Sequence, residues 1–99
     1  MAPEKSQKDL YVQKLHAKLD EWNAAIDKLK AKADRAEAES RVEYQNQIKY
    51  LQQKRREAEN KMAELQGAGK DAWKDLKAGV QLAWDAMEEA VKSARSKFE

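Results

Sequence analysis

The residues that could do chemistry in this chain are few and scattered. His16 is the single histidine, and Asp20 follows it one helical turn later. One imidazole and one carboxylate fall short of a metal ligand set, and no second histidine exists to complete one. His16 therefore reads as a solvated imidazole on the side of a helix. Asp75, Asp85, Glu88 and Glu89 are carboxylates on a regular polar helix face, where no desolvated pocket exists to shift their protonation. Gly67-Ala68-Gly69 is too short for a phosphate loop and follows a helix rather than a strand. No nucleophile stands at a spacing that pairs it with a base. The expectation is a protein with no catalytic residue, no metal, no cofactor and no small-molecule substrate, and hence not an enzyme.

The charge pattern argues against nucleic acid as a partner. The net charge is +2, made of 20 Lys and Arg against 18 Asp and Glu. A nucleic-acid binder concentrates its basic residues on one face. The only basic cluster here is Lys54-Arg55-Arg56, and Glu57 and Glu59 follow it directly. It reads as a solvated helix face. Cysteine is absent, so disulfides and thiolate-bound metals are excluded. No apolar run follows Met1-Ala2-Pro3-Glu4-Lys5, and no stretch approaches the about 18 apolar residues of a membrane span. A soluble, cytoplasmic protein is the expectation.

With 38% charged residues and one Phe, the chain cannot fill a thick core, but it can fill a thin seam between helices. From Lys5 to Gln66 there is neither Gly nor Pro. Pro3 suits a first helical turn, with Glu4 and Lys8 as an i,i+4 pair. Val12, Leu15, Leu19, Trp22, Ile26, Leu29, Ala33 and Ala36 follow in alternating steps of three and four, one stripe of a helix. A second seam runs Tyr44, Ile48, Leu51, Arg55, Ala58, Met62, Leu65, out of phase with the first. Between them, Ser40 with Glu43 matches a capping box, a possible bend. No Gly, Pro or Asn is there to stabilise a reversal. The pattern therefore favours one continuous helix over about residues 5–66, which would be roughly 90 Å long at 1.5 Å per residue. The alternative is a three-helix bundle with a turn near Ser40.

Gly67 and Gly69 mark the one clear turn, at 67–69, with glycine in the left-handed conformation that ends a helix. A last helix over about 71–98 follows, with Asp71 as cap or first-turn acid. This helix carries an eleven-residue repeat: Ala72/Ala83/Ala94, Trp73/Trp84, Leu76/Met87/Phe98 and Val80/Val91 coincide. Eleven residues in three turns is about 3.67 per turn, so the stripe drifts little. Trp73, Leu76, Val80, Trp84, Met87, Val91 and Phe98 share one face. Beside it runs a ridge of small residues, Ala72, Gly79, Ala83, Ala86 and Ala90, suited to close packing on the first helix. Leu82 sits on the polar side, outside this pattern.

The whole chain thus reads as a single all-α domain, a long helix and a shorter antiparallel one. The shorter helix would cover about residues 38–65 and leave the stripe of Val12, Leu15, Leu19, Trp22, Ile26 and Leu29 bare. An apolar stripe of that length is rarely left in water. Self-association into a homo-oligomer, or capture of a helical partner protein by coiled-coil packing, is the expected function. The competing expectation is peripheral membrane contact, with the apolar face of 71–98 lying in a lipid interface. Its polar face is not enriched in Lys and Arg, and the small ridge favours protein packing. A third possibility, a desiccation-type protectant, predicts a largely unfolded chain in dilute buffer.

Tyr11-Val-Gln-Lys-Leu15, Leu19-Asp-Glu-Trp-Asn23 and the block Gly69-Lys-Asp-Ala-Trp73-Lys-Asp-Leu-Lys-Ala-Gly79-Val80 together resemble a group of small bacterial coiled-coil proteins. The similarity spans Tyr11 to Phe98 and rests on the spacing of Trp22, Trp73 and Trp84. It implies a bacterial source and a helical, oligomer-prone protein, and it carries no activity or ligand.

Overall fold

Two extended residues decide the architecture. In the computed structural model, which describes residues 6–98, Ala36 (φ −80, ψ 154) and Glu37 (φ −68, ψ 160) interrupt the expected long helix. The described residues form three helices: α1 (Gln7–Arg35), α2 (Ala38–Gly67) and α3 (Trp73–Phe98), and no strand is found among them. The fold is all-α, and its three helices of 29, 30 and 26 residues match the three-helix alternative. The continuous helix over 5–66 is corrected. The molecule measures 55 Å along its longest axis, well short of the roughly 90 Å rod. Pro3, Glu4 and Lys5 lie outside the described residues.

The break falls at Ala36–Glu37, ahead of Ser40, which sits exposed in the first turn of α2. The capping box of Ser40 and Glu43 is therefore not the start of the helix. Glu37 is the N-cap and makes no side-chain capping bond. Extended φ and ψ are open to any residue, so this turn needs neither Gly nor Asn. Breaking the helix loses a few backbone hydrogen bonds, each worth about 1 kcal/mol net. It allows the seam of α1 to meet those of α2 and α3, and each buried large side chain contributes about 2 kcal/mol. Burial wins.

Each helix C-terminus is closed by a cation borrowed from another part of the fold. At the end of α1, Arg41 donates from Nε to the Ala33 carbonyl at 3.2 Å and from Nη2 to that of Ala36 at 3.0 Å. At the end of α2, Lys8 Nζ donates to the carbonyls of Gln66 at 2.7 Å and Ala68 at 2.8 Å. At the end of α3, Lys32 Nζ donates to the Phe98 carbonyl at 3.3 Å. The last carbonyls of a helix lack intrahelical partners, and a positive charge there also opposes the helix dipole. This arrangement overturns the glycine stop expected at Gly67 and Gly69. Gly67 is the last residue of α2, and among the described residues no glycine has a positive φ. Ala68, extended at φ −75 and ψ 150, ends the helix, its N–H bonding to the Leu65 carbonyl at 3.2 Å. Residues 68–72 then lead into α3, which starts two residues later than expected. Asp71 accepts at its carbonyl from the Lys74 N–H at 3.3 Å instead of capping with its side chain. Replacing Lys8 or Arg41 by Met is expected to lower the unfolding free energy by about 1 kcal/mol each, given their partial exposure. Urea denaturation measures it, and no change in either variant would remove the capping role.

Lys8 at the end of α2 and Arg41 at the end of α1 make those helices antiparallel. Tyr11 beside Trp73 and Lys32 beside Phe98 make α1 and α3 parallel. Both seams read from the sequence are buried inside this one chain. Leu15, Leu19, Trp22, Ile26, Leu29 and Ala33 of α1 meet Ile48, Leu51, Ala58, Met62 and Leu65 of α2 in a single core. Trp73, Val80, Trp84, Met87, Ala90, Val91 and Ala94 of α3 complete it. The bare stripe expected on Val12 to Leu29 does not exist: Val12 is half-buried, the others are buried, and the covering helices belong to the same molecule. The reason is the break itself, which converts an overhanging rod into a third layer.

One polar pair pins α1 against α2. Arg55, the odd residue in the second seam, donates from Nη1 to Asn23 Oδ1 at 2.7 Å, and its Nε lies 3.3 Å from Glu59. A double-mutant cycle on Asn23→Ala and Arg55→Ala is expected to show about 1 kcal/mol of coupling. In a continuous helix these residues would stand roughly 48 Å apart and show none.

Candidate interaction groove

Chemistry-bearing side chains remain dispersed on the folded molecule. His16 is exposed. Among the described residues, no three His, Cys, Asp or Glu side chains come together in a way that could hold a metal. Asp75, Asp85 and Glu89 are exposed, and Glu88 reaches across to Lys18 of α1 at 3.4 Å. In the basic cluster, Lys54 lies 3.6 Å from Glu57 and 5.7 Å from the centre of the Tyr50 ring, and Arg55 is turned to Asn23 and Glu59. Two of the three cations there are thus engaged within the fold.

The apolar face of α3 is turned inward. Trp73, Val80, Trp84, Met87 and Val91 are buried, and Leu76 and Phe98 pack at the core's edge. The tryptophan repeat positions α3 through aromatic contacts at three levels. Tyr11 and Trp73 meet at one end with ring centres 6.1 Å apart, Trp22 and Trp84 in the middle at 5.4 Å, and Tyr44 and Phe98 stack at the other end at 4.3 Å. Trp22, expected against a partner helix, packs against Trp84 of its own chain. At the first level Lys77 Nζ lies 5.0 Å from the Tyr11 ring centre, and the Tyr11 hydroxyl is 3.3 Å from Gln81 Oε1.

Burial, and then the charge of Asp85, pushes the Tyr11 hydroxyl pKa above 10.0. The charges of Glu21 and then Glu88 raise the ammonium pKa of Lys18. Both groups hold their protons more tightly in the folded state, so their contribution is complete below the unfolded values and is lost as pH rises through the folded ones. The melting temperature is expected to fall as pH passes above 10.0, and Tyr11→Phe is expected to shrink that fall. Thermal melts at mildly and strongly alkaline pH check it. An unchanged slope in the variant would take Tyr11 out of the account.

The two helices on either side of this aromatic layer do not close on each other. α2 packs closely against both α1 and α3, whereas the α1 and α3 backbones stand further apart, separated by the tryptophans. Beyond Trp22 and Trp84 the residues facing across the gap are small: Ala24 and Ala25 on α1, Ala94 on α3. A groove of about 320 Å³ results, with Leu29, Val91 and Leu51 of α2 in its floor and Glu21, Lys28 and Arg95 at its rim. Nothing in the repeat pattern announces it, because it arises where alanines of two non-consecutive helices line one gap.

The small-residue ridge expected to pack on the first helix takes a different place. Ala83 and Ala90 reach the core, but Ala72, Gly79 and Ala86 are exposed, and a Cβ added at Gly79 would meet nothing within 4 Å. Helix α3 is rotated so that its large residues, rather than its small ones, face α1 and α2. Burying two tryptophans outweighs close backbone approach. Among the described residues, no helix is long and apolar enough to cross a membrane. No protein-family model matches the chain, and neither a curated protein nor a solved structure matches it.

Proposed function

We propose that this protein is a non-enzymatic interaction module that self-associates or binds a helical partner protein, and that the α1/α3 groove is its recognition surface. The observation that carries this reading is the groove's construction: an apolar floor of Leu29, Leu51 and Val91 between alanine walls, rimmed by charges of both signs. A helix laid there would complete a four-helix arrangement, and such bundles take their specificity from rim charges of this kind.

The chain has no cysteine, so a single introduced one carries a unique label. An environment-sensitive fluorophore at Ala24→Cys is expected to respond as unlabelled protein or amphipathic helical peptides of either charge polarity are added. The same label at Lys61→Cys, on the outside of α2, is expected to stay silent. A silent groove label, or equal responses at both positions, overturns the reading.

The lipid-surface alternative would require α3 to leave the bundle, because its apolar face is the one that forms the core. Co-sedimentation with vesicles of increasing anionic-lipid content is expected to leave the protein in the supernatant. A bound fraction under conditions where the bundle is folded would reinstate that alternative.

A further inference from the structure

We infer that the groove's occupant is a second copy of this chain, which presents the outer face of α3 with Leu82 as its anchor. This rests on the groove reading above and names its partner. Leu82 is the most exposed of the large apolar residues among those described, at 71%. Nothing in its own molecule accounts for it, since it points away from the side of α3 that carries Trp84, Met87 and Val91. Gly79, three residues before it, poses the same problem. Glycine is among the poorest helix formers. Here it sits inside α3 with an ordinary backbone, and its missing side chain makes room for nothing in this chain. Two residues that the monomer does not explain lie side by side, with the exposed Ala78 and Ala86 next to them. Together they form a surface that another backbone can approach closely around one protruding leucine.

Charge says which surface it fits. At 100° per residue, Asp75, Asp85 and Glu89 of α3 lie within about 60° of Leu82 on the same face, and no Lys or Arg of the helix joins them before Lys97. The groove offers a mainly basic rim, Lys28 and Arg95 against a single Glu21 that Lys18 pairs at 3.6 Å within α1, and alanine walls that admit one leucine flanked by small residues. In this assignment Leu82 enters the groove of the next molecule, and Asp85 and Glu89 face Lys28 and Arg95. The donor face and the groove are different surfaces of one protomer, so the contact is head-to-tail, forming short chains or rings rather than a self-complementary dimer. The contact is small, so association is weak and grows with concentration.

Sedimentation velocity and multi-angle light scattering over a micromolar-to-millimolar series test this on the full chain. The weight-average mass of the wild type is expected to rise with concentration. Leu82→Lys and Ala24→Glu, both at exposed positions, are expected to stay monomeric with unchanged melting temperatures. Arg95→Glu is expected to weaken association by about tenfold, and adding Glu89→Lys to it is expected to restore most of the loss. A wild type that stays monomeric throughout overturns the inference. If association persists in Leu82→Lys but is lost in Ala24→Glu, the groove keeps its role and the Leu82 anchor fails. If it persists in both, neither the anchor nor the groove mediates it.

Discussion

Replacing Trp84 by alanine is expected to cost about 3–5 kcal/mol of folding stability. Its side chain is buried, it packs against Trp22 with ring centres 5.4 Å apart, and it fills the level at which α1 and α3 are held apart. A small domain has about 5–15 kcal/mol in all, so the loss should leave a molecule that melts near physiological temperature. Far-ultraviolet circular dichroism during urea denaturation measures it. Part of the effect belongs to the aromatic pair itself, about 0.5–1.5 kcal/mol, which a cycle with Trp22→Phe and Trp84→Phe isolates. Leu82→Ala, on the opposite side of the same helix, is expected to stay within about 0.5 kcal/mol of the wild type. Should the two alanine substitutions prove equally mild, α3 would not be docked through its tryptophan face.

Leu51→Ala is expected to cost about 2–5 kcal/mol. Leu51 is 0% exposed, lies near the middle of α2 and reaches the floor of the groove between the other two helices. Its removal leaves a void bordered by all three helices. Closing that void would require α2 to move against two neighbours at once, which argues for the upper half of the range. In a two-helix hairpin the same position would have only one neighbour and could relax, so a loss below about 1 kcal/mol would favour the hairpin. The comparison uses the same denaturation experiment.

Much of this fold is legible in the residue order. Alternating steps of three and four in α1, and the eleven-residue repeat in α3, identify nearly every buried side chain. Of the residues placed in the second seam, Ile48, Leu51, Ala58, Met62 and Leu65 are buried, and Tyr44 and Arg55 are half-buried. The caps are harder to see. Lys8, Lys32 and Arg41 look like any other helix-surface cation; Lys8 and Lys32 find their carbonyls only after the helices are side by side, and Arg41 only once the chain turns at Ala36 and Glu37. The groove is less visible still, since Ala24, Ala25 and Ala94 are unremarkable until two distant stretches of chain align.

Periodicity is a local property, and by itself it determined that the chain is helical and which side of each helix avoids water. It did not determine where the long helix folds back. Ala36 and Glu37 carry no turn signal, and their extended backbone is open to any residue, so local preference on either side of the break is nearly even. Only the pooled burial of three seams, spread over residues far apart along the chain, tips that balance, and it is felt only once the helices meet.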